Sequence, residues 1–80
     1  MFKNRSTDQS LNLCGKVIAR LRTERGISQR QLADDLQDYD INLGKNAIQK
    51  IESGARFVTD IELKAFALFF NVSTEFLLNN

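Results

Sequence analysis

Apolar residues recur along most of this 80-residue chain at the three- and four-residue spacing of helices that bury one side. Leu13, Val17, Ile18 and Leu21 predict a first helix that starts near Asn12 and stops at Gly26, a residue suited to a left-handed C-terminal position. Leu32, Ala33 and Leu36 predict a second, from Gln29 to about Gln37, opened by the capping box Ser28-x-x-Gln31. Ala47, Ile48 and Ile51 mark a third, which begins near Gly44 or Lys45, ends at Gly54 and turns Lys45, Asn46, Gln49 and Lys50 outward. Thr59-x-x-Glu62 opens a fourth. Its Ile61, Leu63, Ala65, Phe66, Leu68, Phe69 and Phe70 form a face wide enough for a central buried helix, and Asn71 serves as its left-handed terminator. Ser73 caps a fifth helix, Thr74 to about Leu78, and Ile41 and Leu43 are expected to tuck into the core between the second and third. There is no strand signal and no repeat, so the expected fold is all-α with five helices.

Residues 1 to 10 are polar and aperiodic and read as a flexible tail; residues 11–80 read as one small domain. A domain this size buries only about 60% of its unfolded surface, but six Phe together with the Leu and Ile content make a helical core plausible without covalent staples. The single cysteine, Cys14, excludes an intrachain disulfide and suits a reducing compartment. It reads as a small buried apolar residue rather than a redox sensor. With no His and one Cys, a zinc site has almost no ligands to draw on, the cysteine has no evident base to activate it, and the carboxylates lie on motif surfaces. No segment approaches the roughly 20 apolar residues of a membrane span, and the first residues lack the apolar stretch of a secretion signal. The expectation is a cytoplasmic protein that is not an enzyme, with no cofactor, no metal, no membrane and no evident small-molecule ligand.

The net charge of +1 is uninformative, but its distribution is not. Residues 1–30 hold seven cations against two carboxylates, whereas residues 31–60 hold three against six. Taken alone this reads equally as solvated helix faces; a functional reading needs the fold to gather the basic residues on one side. The outer face of the third helix is more telling. Lys, Asn and Gln can hydrogen-bond base edges or hold phosphates in a major groove, and a helix of that kind following another short helix is a known DNA-docking arrangement.

Three strings carry a wider likeness: Ile18-x-x-Leu21-Arg22-x-x-Arg25-Gly26-Ile27-Ser28-Gln29-x-x-Leu32-Ala33, then Ile48-x-x-Ile51-Glu52-x-Gly54, then Val72-Ser73-x-x-Phe76-Leu77-Leu78. Over most of its length the chain resembles the Cro/lambda-repressor-type helix-turn-helix domain, the XRE family. The resemblance implies a five-helix lambda-repressor-like domain and a sequence-specific transcriptional regulator, a repressor, that binds double-stranded DNA as a homodimer on an inverted repeat. It implies base reading by Lys45, Asn46, Gln49 and Lys50, phosphate contacts from Gln29, Arg30, Ser53, Arg56 and Thr59, and a structural ion pair between Arg22 and Glu52. The chain departs from the compact motif between Leu36 and Ile48, where extra residues around Asp38–Asn42 lengthen the turn. The apolar surplus on helices 4 and 5 marks Phe69, Phe76 and Leu77 as the expected pairing surface. The alternative is a protein-interaction module, such as an antitoxin or anti-regulator of the same fold, working through the acidic stretch Asp34 to Asp40.

Overall fold

The computed structural model describes residues 10–79, and the tail expected over 1–10 lies, except for Ser10, outside them. Five helices follow in order: α1 (Gly15–Glu24), α2 (Gln29–Leu36), α3 (Lys45–Ser53), α4 (Asp60–Phe70) and α5 (Thr74–Asn79), with a 3₁₀ turn, Gln37–Tyr39, after α2. No strand is present among the described residues, so the fold is all-α, as the apolar spacing predicts.

The ends of the helices follow from local chemistry. The Ser28 hydroxyl accepts from the Gln31 amide at 3.0 Å and caps α2. The reciprocal half of the expected capping box is not made, because Gln31 Nε2 turns forward to Asp35 Oδ1 at 2.7 Å. Around α4 the box is complete: Thr59 Oγ1 accepts from Glu62 N at 3.1 Å, and Glu62 Oε1 accepts from Thr59 N at 3.1 Å. Ser73 Oγ accepts from Phe76 N and caps α5. Gly26, Gly54 and Asn71 all carry positive φ just beyond helix ends, the conformation that releases the chain from a helix. Helix α1 begins three residues later than expected. Asn12 stays outside it and accepts the Gly15 amide on Oδ1 at 2.7 Å, and Leu13, counted as an inward position, is 58% exposed.

One core joins all five helices. Val17 and Ile18 of α1, Leu32, Ala33 and Leu36 of α2, Ile48 and Ile51 of α3, Ala65, Phe66, Ala67 and Phe70 of α4, and Leu77 of α5 are buried together with Cys14. The lengthened turn is part of this core. Ile41 and Leu43 are buried, Ile41 N bonds back to Leu36 O at 3.2 Å, and Asp40 takes a left-handed φ of 61° to reverse the chain. Tyr39 stands edge-on to Phe69 with ring centroids 6.0 Å apart. The Arg25 guanidinium lies 4.8 Å from the Phe69 centroid and 5.1 Å from that of Phe70, which ties the end of α1 to the end of α4.

Two expectations about α4 and α5 are corrected. Ile61 and Leu68, assigned to the inward face, are 70% and 59% exposed. They are seven residues apart and so share one outer side of α4, opposite the buried Phe66 and Phe70. Leu77, named as a pairing residue, is wholly buried and belongs to the core, while Phe69 and Phe76 are half-buried. Periodicity alone could not separate these positions, because α4 has more apolar residues than one buried face can hold.

Candidate nucleic-acid interface

The α2–turn–α3 unit is built from inside outward. Ile48 and Ile51 are fully buried against the core that Leu32 and Leu36 also enter. With these inward, the helical period turns Lys45, Asn46, Gln49 and Lys50 to solvent. All four are exposed, and none of their side chains is bonded to another described residue. Arg30, in the first turn of α2, is likewise exposed and without a described partner. An unpaired polar face on a helix whose other side is locked into a core is chemically free to bond a ligand, and Lys, Asn and Gln are the side chains that match base edges and phosphates.

The remaining candidates are engaged within the chain. Arg22 Nε donates to Glu52 Oε2 at 2.6 Å and Arg22 Nη2 to Glu52 Oε1 at 3.1 Å; Arg22 Nη1 donates to the Ile27 carbonyl at 2.8 Å. The arginine therefore links α1, the turn before α2 and the end of α3. The Glu52 hydrogen bonds hold the Arg22 guanidinium above its ordinary pKa. Gln29 Nε2 donates to the same carboxylate, to Glu52 Oε1 at 3.0 Å, which leaves its second N–H available. Arg56 is held on both arms by Glu62, Nη1 to Oε1 at 2.9 Å and Nη2 to Oε2 at 3.1 Å, and also donates to the Phe57 carbonyl. This pairing raises the Arg56 pKa and lowers that of Glu62. The Ser53 hydroxyl donates to Lys50 O at 3.1 Å, and the Thr59 hydroxyl accepts in the α4 cap and keeps its own proton to donate. Cys14 lies at the buried start of α1, where desolvation pushes its thiol up to about 11; it has no thiolate character at neutral pH.

Asn12, which the apolar spacing marks only as a helix start, has a larger part in the fold. Its amide reaches across the fold, donating to Ile51 O at 3.1 Å and Arg56 O at 2.8 Å. An Asn three residues ahead of a helical Gly15 signals a cap, but nothing local announces the contacts to residues 39 and 44 positions away.

A family model described as helix-turn-helix matches residues 18–77. The chain belongs to this XRE-type helix-turn-helix family, a family of DNA-binding regulatory domains. No curated protein and no solved structure matches the chain. Among the described residues no helix is long and apolar enough to cross a membrane.

Proposed function

We propose that this protein is a cytoplasmic transcriptional repressor that places α3 in the major groove of double-stranded DNA and blocks a promoter by occupying it. The observation that carries this reading is the face of Lys45, Asn46, Gln49 and Lys50, exposed and with no side-chain partner among the described residues, on a helix pinned from behind by Ile48 and Ile51. Asn46 and Gln49 suit adenine edges, and Lys45 and Lys50 suit guanine or phosphate. Arg30 and the open N–H of Gln29 meet phosphates at the start of α2, where the helix end already favours anions. Ser53, Arg56 and Thr59 flank the far end of α3 and complete the backbone contacts. Because Glu62 neutralises Arg56, that residue acts more by shaping the loop than by its charge.

The protein binds as a homodimer. Two copies set their α3 helices about one DNA turn apart, roughly 34 Å, on a two-fold symmetric site. The pairing surface is the outer side of α4, where Ile61 and Leu68 stand exposed.

Selection of bound duplexes from a random pool tests the reading. Enrichment of an inverted repeat is the expected result. A pool with no enrichment, combined with tight capture of a protein partner, would favour the protein-interaction alternative through the exposed Asp34, Asp38 and Asp40.

A further inference from the structure

The segment before α1 is built against the far end of α3. The Asn12 carboxamide is bonded at both ends: Oδ1 accepts from Gly15 N at 2.7 Å, and both Nδ2 protons are donated, to Ile51 O at 3.1 Å and Arg56 O at 2.8 Å. Ile51 lies in the last turn of α3, where its carbonyl also accepts from Gly54 N at 3.1 Å, and Arg56 lies in the connection to α4. Next to it, Leu11 N donates to Gly54 O at 2.8 Å. The fit is close enough to need glycine twice. A methyl group on Gly15 would lie 2.1 Å from the Ile51 carbonyl oxygen, and one on Gly54 would lie 2.5 Å from Ser10 Cβ. At its other end α3 starts from Gly44, which offers no side-chain cap.

From this geometry we infer that Asn12 is a positioning residue for DNA binding. By joining the start of α1 to the last turn of α3 and to the following loop, it fixes the angle at which Lys45, Asn46, Gln49 and Lys50 meet the duplex. It touches no DNA itself. The inference rests on the proposed reading of α3 as the DNA-contacting helix. Only asparagine suits the position: aspartate has no donors, serine has a single oxygen, and glutamine would set the amide one carbon too far out.

Two variants separate the roles of this side chain. Asn12→Ser keeps an oxygen for the Gly15 amide and gives up both donations to the α3 end, whereas Asn12→Ala loses all three bonds. Both are neutral, so neither alters the charge that governs non-specific binding. Affinities are measured for the duplex selected by the wild-type chain and for an unrelated duplex of equal length, below the melting midpoint of each variant. For Asn12→Ser the expected result is about a tenfold loss on the selected duplex, the scale of one lost base contact, with the unrelated duplex unchanged within about twofold. Asn12→Ala loses further thermal stability but no further discrimination. A merely structural residue would change stability and leave the ratio of the two affinities where it was, and that result would overturn the inference. Should Asn12→Ser fail to fold, wild-type side-chain proton exchange answers instead: both Nδ2 protons exchange slowly, free and on DNA, and fast exchange of either overturns the clamp. A wild-type chain that selects no duplex would overturn the proposed function, and the inference with it, an outcome visible before any variant is made.

Discussion

Gln29 and Glu52 are bonded to one another between α2 and α3, with Gln29 Nε2 3.0 Å from Glu52 Oε1. That carboxylate also holds Arg22 of α1. One side chain, largely buried, thus sets the relative position of three helices and orients an amide proposed to meet phosphate. Its removal leaves Arg22 with no counter-charge, only the Ile27 carbonyl, at a site where the arginine side chain is itself mostly covered. Glu52→Ala is expected to lower unfolding free energy by about 3 kcal/mol, and Gln29→Ala by about 1 kcal/mol or less. Urea denaturation of the two variants checks this order; equal effects would show that the Arg22–Glu52 pair does not hold the helices together.

Acid should weaken the start of α4. Glu62 has a pKa below its ordinary value of 4.5, chiefly because Arg56 hydrogen-bonds its charged form, with the Thr59 amide adding to the effect. A carboxylate depressed in the folded state stabilises it fully above the unfolded value and loses that contribution as pH falls through the folded one. Glu62→Gln should therefore cost about 1 kcal/mol near neutrality, the scale of a cap. The gap between wild type and variant should close as pH drops below 4.5. Thermal melts across the acid range measure it, and a gap that stays constant would contradict the pairing.

The Cys14 thiol, buried and pushed up to about 11, should resist iodoacetamide in the native protein under mildly alkaline conditions and react promptly once urea unfolds the chain. The native labelling rate then reports how often the start of α1 opens. Rapid alkylation of the folded protein would mean that this end of α1 is not closed.

For the proposed dimer, Ile61→Glu or Leu68→Glu should dissociate the pair and leave the helical signal intact, because both side chains are exposed. Leu77→Glu should unfold the domain, since it forces an unpaired charge into the core. Sedimentation and circular dichroism distinguish these outcomes. A wild-type monomer both free and on its selected DNA would remove the dimer and leave the DNA-binding claim standing.

Much of this architecture can be read from residue order. Gly26, Gly54 and Asn71 stand where left-handed residues end helices, and Ile48 and Ile51 fix which side of α3 faces solvent. What the sequence hides is long-range or competitive. Gln31 could have closed the α2 box or bonded Asp35, and only the built helix shows that Asp35 wins. On α4 the apolar residues outnumber the buried sites, so Ile61 and Leu68 look no different from Phe66 until the neighbouring helices are in position. Arg56 reads as a free cation beside α3 until the chain brings Glu62 against it. The role of Asn12 depends on carbonyls of Ile51 and Arg56, far along the chain, which no local pattern encodes.

The outer face of α3 carries the central claim. The most direct measurement is the affinity of the double variant Asn46→Ala/Gln49→Ala, against wild type, for the duplex that wild type selects. Each residue that makes a good base contact is worth about 1–3 kcal/mol. Both side chains are exposed, so thermal stability should stay nearly unchanged. The expected result is a loss of at least about tenfold on the selected duplex, with a melting midpoint close to that of wild type. Equal affinity of the double variant and wild type for that duplex would contradict it, because α3 would then not be the helix that reads the DNA.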